Sequence, residues 1–166
     1  SGAVTGTATF AFDVTSQVLD RQRLEALARE LTRSEGRLRT LVEATATVVW
    51  TATAHGEVVE VSPSWLAFTG QSESEYLHGG FSDAIHPDDR ERTMAIWQAA
   101  VRGGAPFAAE YGLRRKDGSY AHTLARGMPV RGADGGILEY VGCNVDVTDL
   151  RRAEAAAREH ADTVAT

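Results

Sequence analysis

The sequence predicts an α+β domain in which short helices cover one face of a five-stranded antiparallel sheet, flanked by a long N-terminal helix and a C-terminal helix. Three observations support this fold class. Two β-branched segments occur early in the chain and three longer ones occur late. Both connections between the late segments contain Asp-Gly, a pair favoured in hairpin turns. Leucines at helical spacing precede the first segment, and an Arg- and Ala-rich stretch follows the last.

The first predicted element is a helix over residues 18–45, because its leucines follow a spacing of three and four that only Ser34 interrupts. These seam leucines are Leu24, Leu27, Leu31, Leu38 and Leu41. Charged residues of both signs fill the positions between them, as on a solvated face. The seam either packs on its own domain or forms a parallel dimeric coiled coil, and we favour the homodimer. Ser34 and Gly36 weaken the seam and predict a bend or a helix boundary.

Two β-branched segments, 48–51 and 58–61, are predicted to pair as antiparallel strands. Their connection, 54–57, contains a glycine and has hairpin length. Pro63 then blocks further strand pairing, because proline has no N–H to donate.

Three helices are predicted after the second strand. Residues 64–68 form one short turn that a glycine ends, and residues 73–77 form another. The clearest helix spans 88–102, with Asp88 as its N-cap and Glu91 completing a capping box. Its apolar face comprises Met94, Ile96, Trp97 and Val101.

The three late strands, 107–115, 120–130 and 137–147, complete the sheet as a meander of hairpins. Near the end of the last strand, the sequence Val145-Asp146-Val147-Thr148 repeats Phe12-Asp13-Val14-Thr15 near the start. Each copy leads from a β-like stretch into an Arg-rich, helix-like one, and the copies are about one domain length apart. The repeat indicates an array of similar units.

Four segments follow from this organisation. Residues 1–17 are interpreted as the tail of a preceding unit, with 6–14 as its last strand and Ser1-Gly2 as a remnant of a tag. Residues 18–45 form a linker helix, 46–148 the domain, and 149–166 a second linker helix. Asp146 and Thr148 are the predicted junction between sheet and outgoing helix, with Thr148 or Asp149 as its cap and Asp146 as an acceptor of hydrogen bonds.

Composition excludes several classes of function. A net charge of -6 argues against a nucleic-acid groove or contact with an anionic membrane, since either needs clustered cations. The Arg114-Arg115-Lys116 and Arg151-Arg152 clusters are interpreted as solvated turn and helix residues. The single cysteine, Cys143, leaves no pair for a disulfide or for zinc, which favours a reducing, cytoplasmic setting. The longest uncharged run, 44–56, is too short to span a bilayer.

The ordered pieces of the chain resemble the PAS domain family, in the subtype with a PAC motif in its C-terminal half. The matching pieces are Val58 to Ser62, Ser64-Trp65-Leu66-Ala67-Phe68-Thr69-Gly70, Ile85-His86-Pro87-Asp88-Asp89-Arg90, Glu110 to Tyr120, and Gly142 to Thr148. The resemblance implies a five-stranded sheet cradling helices, used for ligand sensing, dimerisation and signal relay. It also implies neighbouring PAS and effector domains in a parent chain, such as a histidine kinase of a two-component system or a cyclic-dinucleotide enzyme.

The chain departs from those members of the family that hold flavin or haem. The flavin-binding light sensors carry an adduct-forming cysteine in a Gly-x-Asn-Cys-Arg type motif after the second strand, and no such motif occurs here. Haem-binding members usually present a histidine from the longer helix, and residues 88–102 contain none. We therefore expect neither cofactor, and any ligand should be small and mostly apolar.

Seven apolar or aromatic residues are candidates to line a cavity between sheet and helices, or to fill it as core. They are Trp50, Trp65, Phe68, Trp97, Tyr111, Leu113 and Leu124. Cys143 is expected to be a buried, inert thiol. His86 with Asp88 and Asp89 could form a metal or acid/base cluster, but helix capping explains the same residues. His122 is expected to be an ordinary strand histidine.

No catalytic constellation or metal site is predicted, so the fragment is expected not to be an enzyme. The sequence favours a sensory and dimerisation module that receives a signal through one helix and passes it on through the other. The alternatives are a small ligand-processing enzyme, which needs convergent titratable side chains in a cleft, and a structural spacer without a cavity.

Overall fold

The structure, a computed structural model, describes the backbone of residues 6–164 and the side chains of residues 14–164. The chain divides between Val42 and Glu43 into a helical unit and a folded domain. Its elements are α1 (Gly6–Thr45), β1 (Val48–Thr53), α2 (Pro63–Thr69), α3 (Glu73–Tyr76), a 3-10 helix (Gly80–Ala84), α4 (Pro87–Gly103), β2 (Phe107–Arg114), β3 (Tyr120–Arg131), β4 (Ile137–Asp146) and α5 (Thr148–Val164).

The domain is α+β, with a four-stranded antiparallel sheet in the order β1-β4-β3-β2. Its two long hairpins turn at the predicted Asp-Gly pairs, where Gly118 and Gly135 have positive φ. The predicted fifth strand is wrong, since residues 57–62 have no regular structure. The preceding turn does form, because Thr53 N donates to Glu57 O at 2.9 Å.

The outer edge of β1 explains why no fifth strand forms. Val49 N donates to Ser64 Oγ at 2.9 Å, and the Ser62 hydroxyl donates to Val49 O. Ser62 also caps α2 by accepting from Trp65 N. Two serine side chains therefore satisfy the backbone groups of Val49 that a neighbouring strand would have used.

Helix α1 differs from its prediction in two respects. The strand predicted over residues 6–14 is wrong, because the helix begins at Gly6. A helix satisfies its own backbone hydrogen bonds, whereas a last strand without the rest of its sheet has no partner. The helix also continues through Ser34 and Gly36 without the predicted boundary and ends at Thr45 as predicted.

The helices that cover the sheet largely begin and end where their caps predict. Ser72 and Glu75 form a capping box on α3, and Gly70 ends α2 in the left-handed conformation. The cap predicted for α4 is wrong: His86 is the N-cap, and its Nδ1 accepts from Asp88 N at 3.2 Å. Pro87 occupies the first turn, where its missing N–H costs nothing. Asp88 is therefore inside the helix and complements its dipole.

The core lies between the sheet and these helices, with Trp50 at its centre. The Trp50 ring contacts Trp97 edge-on, with ring centroids 5.5 Å apart, and Phe107 at 6.2 Å. It also covers Gly142 so closely that a Cβ atom there would lie 2.2 Å from Trp50 Cζ2. Glycine at position 142 is thus what allows the tryptophan ring to lie on β4.

Candidate functional site

A small cavity of about 30 Å³ lies in the aromatic core between the sheet and α4. Four of the seven predicted cavity residues line it: Trp50, Trp65, Trp97 and Tyr111. Leu113 is fully buried and Phe68 is half-buried against the core, but neither lines the cavity. The structure therefore supports parts of both interpretations, since most of the space is filled and a small void remains.

Leu124 is placed on the opposite face of the sheet. Strand β3 buries every second residue, including Thr123 and Ala125, so Leu124 points away from the core. It pairs with Glu110 and Val145 across the sheet. The assignment of Leu124 to the cavity is therefore wrong by one residue in strand phase.

The floor of the core carries a polar network around Asn144, a fully buried residue of β4. Trp50 Nε1 donates to Asn144 Oδ1 at 2.9 Å, and Asn144 Nδ2 donates to the Tyr111 hydroxyl at 2.9 Å. Burial raises the pKa of Tyr111 to about 12, so its hydroxyl stays protonated. Sequence reasoning did not identify Asn144, because an asparagine in a strand gives no local signal of a long-range network.

An open cleft of about 500 Å³ adjoins the small cavity. Val58, Phe81, Met94 and Trp97 line both spaces, so the cleft leads to the core. One wall is fixed by Trp97 Nε1, which donates to Gly56 O at 3.2 Å. The rim carries His55, Glu57, His78, Gln98 and Arg102.

The second candidate site is the junction between β4 and α5, built around Asp146. Asp146 Oδ1 accepts from Thr148 N at 2.9 Å, and Asp146 Oδ2 accepts from Arg115 Nη2 at 2.9 Å. The Thr148 hydroxyl also donates to Asp146 and accepts from His122 N at 2.9 Å. The acceptor at the start of α5 is thus Asp146, and neither Thr148 nor Asp149 is the cap that the sequence predicted.

The junction also reaches the segment that follows α1. Asp146 N donates to Thr47 Oγ1 at 2.9 Å, and Thr47 N donates to Asn144 O at 2.8 Å. Thr47 lies two residues after the end of α1, whereas Thr148 is the first residue of α5. One residue, Asp146, therefore bonds both to the start of the domain and to the helix that leaves it.

The Asp146 carboxylate is held in its charged form. Partial burial by itself raises the pKa of Asp146, but hydrogen bonds from Thr148 and Arg115 outweigh that effect and lower the pKa below its ordinary value. Arg115 also donates to Tyr120 O at 3.3 Å, so the guanidinium links the junction to the β2–β3 hairpin.

A second ion-pair cluster attaches α5 to the outer face of the sheet. Glu110 of β2 pairs with Arg151 of α5, and Glu110 Oε2 lies 2.8 Å from His122 Nε2. These bonds, from His122 first and Arg151 second, lower the pKa of Glu110. Arg151 also pairs with Glu154 at 2.7 Å. The interpretation of Arg115 and Arg151 as merely solvated residues is therefore wrong.

The His86 region is organised as structure. Asp89 Oδ2 accepts from Gly112 N at 2.9 Å, which ties α4 to β2, and this bond is the first cause of the lowered pKa of Asp89. Across residues 14–164, no group of three His, Cys, Asp or Glu residues could hold a metal ion. Cys143 is half-buried on the outer face of β4, so its predicted full burial is wrong.

The seam leucines of α1 are exposed on this chain, each by at least 60%. Their relative exposures are 67% for Leu24, 61% for Leu27, 60% for Leu31, 60% for Leu38 and 64% for Leu41. Exposed leucines at heptad spacing form an apolar stripe. Within the part of the chain described, no helix combines the length and the apolar character needed to cross a membrane.

Comparison with known proteins decides the family. The family model described as "PAS fold" matches residues 58–144, which is more than half of the chain. The chain belongs to the PAS fold family. The match begins at the segment where the fifth strand was expected and ends at Asn144. It includes every residue that lines the cavity except Trp50, and it stops just before the Asp146 junction.

Two curated relatives are similar to this chain over most of its length. An uncharacterized protein, y4lL, from Sinorhizobium fredii is 35% identical over 121 residues, covering 73% of this chain and 14% of that protein. The peroxide stress-activated histidine kinase mak1 of Schizosaccharomyces pombe is 30% identical over 118 residues, covering 70% and 7%. The chain thus spans a small part of the curated relatives it matches.

Solved structures support the fold. A sensory box histidine kinase/response regulator from Burkholderia thailandensis superposes with a TM-score of 0.57 at 27% identity, covering 77% of this chain and 97% of that one. An RNA-binding light-oxygen-voltage receptor superposes with a TM-score of 0.61 at 18% identity, covering 77% and 37%. At that identity the second likeness is one of PAS fold alone.

Proposed function

We propose that this PAS domain is a sensory and dimerisation module that relays a signal from α1 to α5 within a larger signalling protein. The observation that carries the proposal is the double attachment of Asp146, to Thr47 at the start of the domain and to Thr148 at the start of α5. A shift in the sheet at β4 changes both attachments together. The similarity to a histidine kinase and to a sensory box kinase/regulator supports the same function.

The outgoing helix is the natural carrier of such a signal, because its attachment is polar and geometrically specific. Arg151 is anchored by Glu110 on the sheet and by Glu154 on its own helix. Asp146 and Thr148 fix the angle at which the helix leaves β4. A small change at these contacts would tilt or rotate the rigid helix and so move whatever follows it.

The relay can be tested by changing the rotational phase of α5 in the full-length parent. Inserting seven helix-forming residues after His160 adds about two turns and nearly restores the helix face, whereas inserting two rotates it by about 200°. We expect the seven-residue insertion to keep the response of the effector to its stimulus and the two-residue insertion to abolish or invert it. Equal responses from both proteins would contradict relay through a rigid helix.

We further propose that the module is a homodimer through the α1 stripe. Burying one leucine contributes about 1.5–3 kcal/mol, so a handful can exceed the cost of association. Replacing Leu27 and Leu31 together with glutamate should convert dimer to monomer at tens of micromolar while the domain stays folded. Light scattering gives the mass and circular dichroism checks the fold.

A matched control uses the opposite face of the same helix. The pair Ala26→Glu and Thr32→Glu adds the same two charges outside the heptad seam. This variant should keep the dimer mass. If the unmodified protein is a monomer, the proposed dimer does not exist. If the dimer mass is unchanged after the leucine replacements, the dimer interface lies elsewhere.

The proposal extends to the parent protein. We propose that it is a cytoplasmic signalling enzyme, a histidine kinase or a cyclic-dinucleotide enzyme, in which neighbouring PAS and effector domains flank this one. In this account the fragment itself is not catalytic and contacts neither nucleic acid nor membrane. The polar residues at His86, which a ligand-processing enzyme would have to use, are committed to capping α4 and to joining it to β2.

We also propose that the domain holds neither flavin nor haem. Light-oxygen-voltage structures share the fold, but the only cysteine here lies on the outer face of β4, and the inner cavity of about 30 Å³ has no room for a flavin ring. The purified protein should therefore be colourless. A stoichiometric absorbance band between 400 and 500 nm in an optical spectrum would contradict this expectation.

A further inference from the structure

We propose that the inner cavity and the adjoining cleft together bind one small aromatic molecule that carries a hydroxyl or carbonyl oxygen. The oxygen would occupy the cavity beside the Tyr76 and Thr93 hydroxyls, and the ring would lie in the cleft against Trp97 and Met94. This inference names the ligand class of the proposed sensory function and rests on that function.

The hydroxyls of Tyr76 and Thr93 carry the inference. Tyr76 is 1% exposed and Thr93 is 2% exposed, and neither side-chain oxygen has a hydrogen-bond partner. Across the described residues only one other buried side-chain atom, Arg90 Nε, is in this condition. Both hydroxyl side chains line the same cavity. Buried polar groups are normally paired, so two unpaired hydroxyls at one void indicate a missing polar partner.

Both tyrosines at the cavity are protonated and can donate. Burial raises the pKa of Tyr76 and of Tyr111 to about 12. A hydrogen-bonding interaction with the nearby Ser62 offsets part of that rise for Tyr76. The Ser62 hydroxyl gives its own proton to Val49 O, and the Tyr76 hydroxyl has no partner at ordinary hydrogen-bond geometry. Tyr111 accepts from Asn144, which leaves its proton for another acceptor. The cavity therefore suits an oxygen that accepts.

The shape of the two spaces sets the rest of the ligand. The cavity of about 30 Å³ has room for one or two heavy atoms, and aromatic side chains form most of its wall. The cleft of about 500 Å³ opens from it past Phe81, Met94 and Trp97. An aromatic ring packs well on such a wall. The rim carries both a cation, Arg102, and an anion, Glu57, so it favours neither a positively nor a negatively charged ligand. The sequence predicts a small, mostly apolar ligand, and the two hydroxyls add the requirement that this ligand carry one oxygen atom.

Benzyl alcohol and ethylbenzene are suitable probes, because they have nearly the same shape and differ only in that a hydroxyl in the first takes the place of a methyl group in the second. All three tryptophans of the chain line the cavity, so tryptophan fluorescence reports binding directly, with calorimetry as a second readout. We expect the protein to bind benzyl alcohol about tenfold more tightly than ethylbenzene, the scale of one buried hydrogen bond. Thr93→Val and Tyr76→Phe should each reduce that ratio about fivefold while leaving ethylbenzene affinity unchanged.

Tyr140→Phe is the matched control. Tyr140 is fully buried and its hydroxyl donates to Ala100 O at 3.2 Å, but the residue does not line the cavity. Tyr140→Phe should lower the melting temperature and leave the probe ratio unchanged. Tyr76→Phe and Thr93→Val should leave the melting temperature unchanged or raise it, since their hydroxyls have no partner to lose.

Three results would overturn the inference. The first is that neither probe binds saturably, which is the result for a cavity that holds only water. The second is an unchanged ratio of benzyl alcohol affinity to ethylbenzene affinity in both hydroxyl variants. The third is unfolding of both variants. None of these results would contradict the proposed signal relay, because the relay is tested by measuring effector activity in proteins altered at α5 or at Asp146. Conversely, a failed relay with the expected probe ratios would leave a ligand-binding domain that does not signal through α5.

Discussion

Gly142→Ala is expected to destabilise the domain severely. A Cβ atom at position 142 would lie 2.2 Å from Trp50 Cζ2 and 2.4 Å from Cη2, distances that no packed carbon pair tolerates. The ring cannot move aside freely, because Trp97 and Phe107 contact it and Asn144 accepts from its Nε1. Overpacking of this kind costs about 3 kcal/mol or more, a large part of the stability of a small domain. Thermal and denaturant unfolding followed by circular dichroism measure the loss.

Gly103→Ala provides the control for a glycine replacement in the same domain. Gly103 is the last residue of α4, and the nearest atom to a Cβ there would be Ala105 Cβ at 4.0 Å. This change should stabilise the domain by a few tenths to about 1 kcal/mol, because alanine loses less backbone freedom than glycine.

A double-mutant cycle identifies the clashing partner. Trp50→Leu removes the ring and should itself destabilise the domain, but adding Gly142→Ala to it should cost little more. Additive losses in the double variant would show that the effect of Gly142→Ala arises from something other than the Trp50 ring.

The helices of this domain are predictable from sequence because their signals are local. Ser72 with Glu75, and the glycine at position 70, act within one or two turns of chain. Asp88 was wrongly predicted as the N-cap of α4. The ring nitrogen of His86 accepts the backbone hydrogen bond that the carboxylate of a capping aspartate would accept. Chemistry that is not in the usual capping set is easily missed.

The missing fifth strand shows where local pattern fails. Residues 58–61 have the β-branched composition of a strand, but a strand exists only if its neighbour leaves backbone groups free. Ser62 and Ser64 reach back to Val49 and occupy those groups. That competition depends on how α2 lies against β1, which no local pattern contains.

The repeated Asp-x-Thr sequence predicted the position of the junction but not its structure. It located Asp146 and Thr148 correctly at the boundary of β4 and α5, but its first copy lies inside α1 and not at the end of a strand. The array of similar units therefore stays a prediction that the fold does not test. The partners of Asp146 could not be predicted, because Arg115 and Thr47 are distant in sequence and meet only once the sheet has formed.

We propose that Asp146 couples the domain to its outgoing helix. In the full-length parent, Asp146→Ala should abolish the response of the effector to its stimulus, because it removes the acceptor of both Thr148 and Arg115. The stability cost should be only about 0.5–2 kcal/mol, the scale of a lost cap. Thr148→Ala should act in the same way, and Thr148→Ser, which keeps the hydroxyl, should retain the response.

Asp134→Ala is the matched control, because Asp134 Oδ1 accepts from Gly136 N at 2.9 Å, two residues on, just as Asp146 accepts from Thr148 N. The Asp134→Ala variant loses the same kind of side-chain-to-backbone hydrogen bond, but in the turn between β3 and β4 and not at the start of α5. The deciding measurement is effector activity with and without stimulus, beside the melting temperature of each protein. The account predicts that Asp134→Ala responds and Asp146→Ala does not, with both folded. A full response from folded Asp146→Ala and Thr148→Ala proteins would contradict it and leave the junction as packing alone.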